Sequence, residues 1–222
     1  MSNIIEKLAE CVEFGKVDQN SPYPPHLKNQ DGAYEWTDQA IKSGIKPQDI
    51  LETALVPAME RVGKKFSENK IFVPQMLMSA KAMGAAMVLL KPFFAKGEIK
   101  NKGTYIIGTV QGDLHDIGKN LVSMMIEGSG WKVIDLGVDV ASGKFIDSVK
   151  ENPGAVIGLS ALLTTTMVNM EEITKDIKKA APGTLVTIGG APVNDDFCEK
   201  IGADKYARDP QGIVEYLNKL AG

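Results

Sequence analysis

Apolar residues recur with two different spacings, and the change between them divides the chain. Residues 1–94 place apolar side chains three and four positions apart, which predicts helices. From Thr104 onward, short apolar and β-branched runs alternate with helical patterns, which is typical of parallel sheets. Residues 95–103 are polar and glycine-bearing, as expected of an interdomain linker. The pattern therefore predicts a helical domain (1–94), a linker (95–103) and an α/β domain (104–222).

The first half predicts a small bundle of helices. An apolar face from Ile4 to Val12 indicates the first helix, which ends near Gly15. The proline-rich stretch Asn20–His26 is incompatible with a regular helix and favours an extended path. The further predicted helices are Ala33–Lys42, a helix that begins at Pro47 and is bent at Pro57, and a helix from Pro74 to Leu90.

The second half predicts five parallel strands joined by helices. The predicted strands are Thr104–Val110, Lys132–Leu136, Ala155–Ser160, Leu185–Ile188 and Lys205–Ala207, with a last helix from Gln211 to Leu220. This alternation predicts an α/β fold with a doubly wound, flavodoxin-like sheet of order 2-1-3-4-5. The loops after strands one and three then lie on either side of the switch point, where open α/β sheets bind ligands.

Composition narrows the class of protein. The 222 residues carry a net charge of -3, which gives no reason to expect nucleic acid binding. No apolar run approaches the roughly 20 residues that cross a bilayer, and the N-terminus lacks the pattern of a signal peptide. Cys11 and Cys198 are isolated, without a Cys-x-x-Cys motif. We therefore expect a cytoplasmic protein without a disulfide framework.

The segment Gly112–Asn120, directly after the first predicted strand, is the first candidate for chemistry. His115 lies in it, two residues after Asp113. In an extended loop these side chains point the same way, so that Asp113 can accept a hydrogen bond from one ring nitrogen of His115. A metal-bound histidine usually has such a carboxylate partner. An isolated Asp-x-His is equally typical of a histidine that only caps the following helix.

Two further motifs complete a recognisable set. Asp113-x-His115-x-x-Gly118 is followed by Ser160-x-Leu162 and then by Gly189-Gly190, each at the end of a predicted strand. The set resembles the cobalamin-binding signature of corrinoid proteins and of the cobalamin domain of methionine synthase. The resemblance covers the chain from about Ile45 to Leu220. It implies base-off cobalamin, with His115 as the lower ligand of cobalt and the nucleotide tail buried against the sheet.

The resemblance implies a role for each motif residue. Gly189 and Gly190 leave room for the tail, Ser160 offers a hydroxyl to a ring nitrogen of the tail base, and Thr164 offers a second polar contact. Gly112 and Gly118 permit tight turns under the corrin. Taken singly, the glycines could be ordinary turn residues and Ser160 a helix cap. The other residues expected to contact the cofactor are Asp113, His115, Asp116, Ile117 and Leu162.

The resemblance also implies a proton relay. Relatives with a His-Asp-Ser proton relay have serine where this chain has Thr166, so the resemblance implies a relay from His115 through Asp113 to Thr166.

Phe66 and Val73 match positions that cap the methyl-bearing face of the corrin, where methionine synthase has Phe and Leu. Apolar shielding of this kind protects a reactive intermediate. The alternative is that Phe66 and Val73 belong to the bundle core.

The resemblance implies a corrinoid methyl carrier, which holds methylcobalamin in its loaded state. The carrier would not complete a reaction alone: a substrate-specific methyltransferase loads it, an acceptor methyltransferase acting on tetrahydrofolate or a similar acceptor unloads it, and a reductive activator restores it. Residues 16–25 resemble a segment of O-demethylase corrinoid proteins, so phenyl methyl ethers are the first expected donors. Methylamine, methanol and betaine carriers, a cobalamin-dependent sensor and a corrinoid-free flavodoxin-like module are the alternatives.

Residues 16–36 form the part of the chain that a carrier fold explains least. This connector is longer than most helix–helix loops and carries three prolines together with Tyr23 and Trp36. Amphipathic aromatic side chains of this kind are typical of interfaces. We expect the segment to dock on another chain, either a second copy in a homodimer or a methyltransferase. The alternative is a plain connector with Trp36 in its own bundle.

Overall fold

A computed structural model describes residues 2–221, and contacts divide them into two compact units. The first contains the residues up to Asn101 together with Gly128–Gly130. The second contains Lys102–Glu127 and the residues from Trp131 onward. The first unit ends inside the segment 95–103 that the sequence predicts as a linker.

Helices α1, α2, α4 and α5 pack against one another in the first unit, which confirms the predicted bundle. Its helices are α1 (Ser2–Phe14), α2 (Ala33–Lys42), α3 (Pro47–Ile50), α4 (Val56–Ser67) and α5 (Val73–Ala95). The core is apolar, and its largest fully buried side chains include those of Leu8, Ile50, Leu55, Met59, Met76 and Leu90. Burial of these side chains stabilises the bundle through the hydrophobic effect.

The predicted disturbance at Pro57 takes the form of a wide helical turn. Leu51–Leu55, between α3 and α4, is a π-helix, and the N–H of Val56 donates to the carbonyl oxygen of Leu51. Pro57 has no N–H to offer the preceding turn, and its ring crowds the carbonyl group four residues earlier. Such single π turns relieve this kind of conflict within a helix.

Helix α5 differs from the sequence expectation in length. It runs for 23 residues and is, by length and composition alone, apolar enough to cross a membrane. Lysines at positions 81 and 91 interrupt the apolar sequence but do not end the helix. The uninterrupted apolar runs are therefore shorter than the helix itself. Side chains of α5 such as Met76, Met83 and Leu90 are buried in the bundle.

The proline-rich connector is ordered around a buried lysine. The side chain of Lys16 is fully buried, and its Nζ donates to the carbonyl oxygens of Ser21 (2.7 Å) and Gln19 (3.5 Å). A 3₁₀ turn covers Pro25–Leu27, so the prediction of an extended path is wrong for Pro25 and His26. Prolines at the first position of a turn favour this geometry because their φ angle is already helical.

The second unit contains a parallel five-stranded sheet in the order β2-β1-β3-β4-β5, as predicted. The strands are β1 (Thr104–Thr109), β2 (Lys132–Asp135), β3 (Val156–Ser160), β4 (Val186–Gly189) and β5 (Lys205–Tyr206). The helices are α6 (Ile117–Gly128), α7 (Ser142–Glu151), α8 (Thr164–Met167), α9 (Asn169–Ala180), α10 (Asp195–Ile201) and α11 (Pro210–Ala221). The α/β fold class is therefore confirmed, with strand ends within one or two residues of those predicted.

The two faces of the sheet differ in what covers them. On one face, Ile106, Ile157 and Leu159 belong to an apolar core that includes Phe145 of α7 and Ile173 of α9. Residues that alternate with these point to the opposite face, because side chains of a strand alternate in direction. That second face carries the small residues of β3 and β4 and borders a cavity.

Candidate functional site

The loop between β1 and α6 holds the predicted histidine in place through its backbone. Gly112 has φ +82, a left-handed conformation that favours glycine, and its N–H donates to Oδ1 of Asp139 (2.7 Å). The hydroxyl group of Thr109 donates to the carbonyl oxygen of His115 (2.9 Å). Gly118 lies in the first turn of α6 and an added Cβ would meet nothing within 4 Å, so the expected tight turn there is wrong.

Asp113 and His115 form the predicted pair. Nδ1 of His115 lies 2.7 Å from Oδ1 of Asp113, and the side chain of Asp113 is fully buried whereas that of His115 is 51% exposed. Because an ionised carboxylate only accepts, the proton of neutral His115 resides on Nδ1. Nε2 then keeps its lone pair, and no residue among 2–221 donates a hydrogen bond to it. This is the arrangement in which a histidine binds a metal.

Asp113 is held by donors from the loop after β3 and from α8. Its Oδ2 accepts from the hydroxyl of Thr166 (2.6 Å), from the N–H of Leu162 (2.8 Å) and, at a longer distance, from the N–H of Leu163 (3.4 Å). Burial by itself would raise the pKa of Asp113, but the hydrogen bonds from Thr166, Leu162 and His115 outweigh it and hold the pKa far below its usual range. Asp113 therefore stays ionised, and the contacts of the predicted His115–Asp113–Thr166 relay exist.

A cavity of about 750 Å³ borders the second face of the sheet. It extends from the carboxyl ends of the strands, where His115 lies, along the sheet to Tyr105 and Thr187. Helix α6 contributes Leu121, and helix α11 contributes Ile213, to its opposite wall. The predicted site residues that line this cavity are His115, Asp116, Ile117, Gly118, Ser160, Leu162, Gly189 and Gly190.

Ser160 and Gly189 are neighbours in the sheet and lie at the same level of the cavity. The side chain of Ser160 makes no hydrogen bond within the described chain, so its hydroxyl is free to contact a ligand. At Gly189 an added Cβ would make only ordinary contact, 3.7 Å from the carbonyl oxygen of Ala207. The absence of a side chain at Gly189 therefore leaves space in the cavity rather than relieving a clash.

Gly190 is a glycine for a different reason. It has φ +130, and an added Cβ would lie 1.8 Å from the carbonyl oxygen of Ala161. The loop itself requires glycine at this position, because two backbone segments approach closely there. A substitution of Gly190 is therefore expected to disturb the loop as well as any ligand.

The remaining predicted residues lie outside the cavity. Thr164 is exposed at the start of α8, and Thr166 is buried behind Asp113. Phe66, half-buried at the end of α4, and Val73, exposed at the start of α5, belong to the first unit. Their proposed role in capping the corrin stays a prediction.

Sequence reasoning missed several polar side chains that line the cavity, among them those of Lys119, Tyr105 and Thr187. Lys119 is buried, and its Nζ pairs with the carboxylate of Asp135 and with Oδ1 of Asn120 (2.8 Å). Tyr105 and Thr187 join hydroxyl groups across the sheet at 2.7 Å. The alternation of faces could have found the latter two, since Tyr105 lies two residues before Ile107 and Thr187 two residues before Gly189.

These residues fit a cobalamin with a buried nucleotide tail. Nε2 of His115 is a free nitrogen ligand at one end of the cavity, and the unpaired hydroxyl of Ser160 lies deeper. Leu114 and Ile117, which flank His115, are 72% and 74% exposed, an unusual position for large apolar side chains. Apolar side chains around a nitrogen ligand suit a large, partly apolar macrocycle.

Comparison with known proteins gives the same assignment. A B12 binding domain family matches residues 103–214, and a second B12 binding domain family matches residues 29–91. A trimethylamine corrinoid protein of Methanosarcina mazei is 40% identical over 190 residues, 84% of this chain and 87% of that protein. A corrinoid protein of Desulfitobacterium hafniense is 36% identical over 199 residues, 87% of this chain and 92% of that protein.

Solved structures of cobalamin proteins also resemble this chain. A cobalamin-binding protein from Desulfitobacterium hafniense has a TM-score of 0.73 at 29% identity, covering 97% of this chain and 98% of its own. The methanol:cobalamin methyltransferase complex of Methanosarcina barkeri includes a chain with a TM-score of 0.83 at 26% identity, covering 99% of this chain and 80% of that one. This protein therefore belongs to the corrinoid proteins of methyltransferase systems, and its cofactor is cobalamin.

Proposed function

We propose that this protein carries methyl groups from a methylated amine to an acceptor methyltransferase. The donor class is supported by relatives named for trimethylamine and dimethylamine, among them a dimethylamine corrinoid protein of Methanosarcina acetivorans that is 38% identical over 185 residues. The likeness to these amine carriers covers most of the chain, 84% of it for the trimethylamine corrinoid protein of Methanosarcina mazei. We therefore take a methylated amine as the donor class and an amine methyltransferase as the expected loading partner.

The observation that carries the methyl-carrier part of the proposal is the state of His115. Its Nδ1 is tied to a buried, ionised Asp113 at 2.7 Å, and its Nε2 is free at the end of the cavity. When bound, cobalamin supplies a cobalt centre that accepts and releases methyl groups. The chain contributes a nitrogen ligand of defined tautomer, and Asp113 with Thr166 holds the ring in one orientation.

The same residues can hold a proton when the nitrogen ligand is not in use. A proton taken up at Nε2 makes the ring cationic, and the ionised Asp113 lies within 2.7 Å to stabilise that charge. Thr166 keeps the carboxylate ionised by donating to its other oxygen at 2.6 Å. We infer that Asp113 and Thr166 would set the affinity of His115 for the metal of a bound cobalamin.

Phenyl methyl ethers are the second candidate class of donor. The observation that favours them is the segment 16–25, which resembles a part of O-demethylase corrinoid proteins and which Lys16 holds in a defined conformation. An ordered segment loses less entropy on binding a partner than a flexible one. This segment is therefore the region of the first unit in which we expect donor specificity to reside.

The remaining elements of the proposal concern partners and location. We expect two methyltransferases and a reductive activator as partners, and a cytoplasmic setting. The bundle is expected to move as a cap, with Phe66 and Val73 shielding the cofactor and residues 95–103 serving as its hinge. Docking of residues 16–36 on a second copy or on a methyltransferase is part of the same hypothesis.

Reconstituted methyl transfer tests the donor class. The protein loaded with cobalamin is mixed in turn with methyltransferases for trimethylamine, methanol and a phenyl methyl ether, and the methylated acceptor is measured. We expect turnover with the trimethylamine enzyme and little with the other two. The variant His115→Ala, loaded to the same cobalamin content, shows whether transfer depends on the nitrogen ligand. Turnover with the ether enzyme alone would refute the amine assignment in favour of the second candidate.

A further inference from the structure

Two hydroxyl groups close the deep end of the cavity, where most other lining side chains are apolar. Tyr105 on β1 and Thr187 on β4 are each 2% exposed, and their oxygen atoms lie 2.7 Å apart. The hydroxyl of Thr187 also donates to the carbonyl oxygen of Ile157 (2.9 Å). We call Tyr105, Gly158 and Thr187 the cavity floor.

The ring of Tyr105 occupies the space that a side chain at position 158 would need. Gly158 lies between β1 and β4 in the sheet, and an added Cβ there would lie 2.2 Å from the phenolic oxygen of Tyr105. A side chain at position 158 is therefore incompatible with the position of the tyrosine ring. Gly158 pairs with Thr187 in register, which places the phenolic oxygen at their level of the sheet.

The hydrogen bonds decide which atom the floor offers to a ligand. Thr187 has one hydroxyl proton, and the carbonyl of Ile157 can only accept. Both contacts are hydrogen bonds only if Thr187 donates to Ile157 and Tyr105 donates to Thr187. The phenolic oxygen of Tyr105 then keeps a lone pair that no donor among residues 2–221 satisfies. Burial raises the pKa of Tyr105 above its usual range, so the phenol stays protonated.

Along β3, the distance from the free hydroxyl of Ser160 to the cavity floor is about the length of a nucleotide base. Ser160 is two residues beyond Gly158 on β3, a separation of about 6–7 Å along a strand. This is comparable with the long axis of a fused two-ring heteroaromatic base. A base whose ring nitrogen meets Ser160 therefore turns its opposite edge toward Tyr105.

We propose that Tyr105 selects the lower base of the cofactor by accepting a hydrogen bond from the edge remote from Ser160. A base with a hydroxyl or amino group on that edge satisfies the buried lone pair. A base with methyl groups there displaces water from the phenolic oxygen and leaves that lone pair unpaired, which is unfavourable. The proposal rests on the proposed function, since it requires the nucleotide tail of a corrinoid in this cavity.

Binding of three corrinoids to the apoprotein tests the selection. Dissociation constants are measured by titration for cobinamide, which lacks the tail, for cobalamin, and for the cobamide with 5-hydroxybenzimidazole as lower base. We expect the hydroxylated cobamide to bind roughly three- to tenfold more tightly than cobalamin, the range of one buried hydrogen bond. In Tyr105→Phe the ratio falls to about one. In Ser160→Ala both cobamides bind more weakly and the ratio stays.

The result on the wild-type protein is decisive even if a variant folds poorly. Equal or weaker binding of the hydroxylated cobamide by the wild type overturns the role of Tyr105, and so does an unchanged ratio in folded Tyr105→Phe. Cobalamin that binds no better than cobinamide shows instead that the tail does not enter the cavity. That outcome refutes the placement of the cofactor, and the proposed selection with it.

Discussion

Replacement of Asp113 by asparagine tests the central contact of the site with a change of one atom. In the wild type, Oδ1 accepts from the N–H and Nδ1–H of His115, and Oδ2 accepts from Leu162 and Thr166. An asparagine amide has one oxygen, which accepts, and one NH₂ group, which donates. Its NH₂ group must therefore face one of these two sets of donors. If NH₂ faces Leu162 and Thr166, the N–H of Leu162 loses its partner, at a cost of about 1 kcal/mol in unfolding free energy.

The other orientation of the amide changes the histidine instead. With NH₂ toward the imidazole ring, neutral His115 must accept at Nδ1, and its proton moves to Nε2. The metal ligand is then blocked by that proton. Loss of a partner that orients a metal ligand typically lowers affinity by roughly 10- to 100-fold. Asp113→Asn is therefore expected to be less stable, to bind cobalamin more weakly through the histidine, or both.

Two measurements and one control separate these outcomes. Urea unfolding of the apoprotein reports the change in stability, and a titration followed by visible absorption reports the histidine-ligated fraction. Asp147→Asn is the matched control, because Asp147 is an exposed carboxylate on α7. We expect the control to match the wild type in both measurements. An Asp113→Asn protein with wild-type stability, affinity and spectrum would refute the assigned role of Asp113.

The pH dependence of stability provides an independent check. The pKa of Asp113 in the folded protein is lowered, so its contribution to stability is complete well above its unfolded pKa of about 3.9 and is lost progressively as the pH falls from that value toward the lower folded pKa. Between about pH 5 and pH 3 the wild type should lose more stability than Asp113→Asn, which has no such group to protonate. Parallel stability curves for the two proteins over this range would show that the lowered pKa does not stabilise the fold.

Substitutions in three further parts of the structure provide separate tests. Thr166→Val removes the donor to Asp113 and should cost about 1–2 kcal/mol in urea unfolding, whereas Thr166→Ser should stay close to the wild type. Gly189→Val adds a side chain in the open cavity and should abolish tail binding with the fold intact by circular dichroism, whereas Gly190→Ala should destabilise the apoprotein itself. Lys16→Met removes the donor to the carbonyl groups of Gln19 and Ser21 and should speed proteolysis of residues 18–24 without changing the cobalamin spectrum. Unchanged stability in Thr166→Val, unchanged cobalamin affinity in Gly189→Val, or unchanged proteolysis in Lys16→Met would each contradict its prediction.

The order of the strands and the position of the histidine loop follow from local sequence. Alternation of short apolar runs with helical patterns leaves few arrangements, because parallel strands need long crossover connections of one hand. The motif around His115 lies directly after β1, so its place at the carboxyl end of the sheet needs no long-range information. Asp113 and His115 are two residues apart, which is why their contact was predictable.

Contacts between distant segments depend on the tertiary structure. Asp113 meets the N–H of Leu162 across 49 positions, and the hydroxyls of Tyr105 and Thr187 meet across 82. The requirement for glycine at position 190 arises from the carbonyl group of Ala161, which the sequence places 29 residues away. Residue type alone cannot distinguish a glycine that leaves space for a ligand from one that avoids another part of the backbone. Sequence patterns report which face a residue is on, whereas the register and twist of the assembled sheet decide which atoms meet across that face.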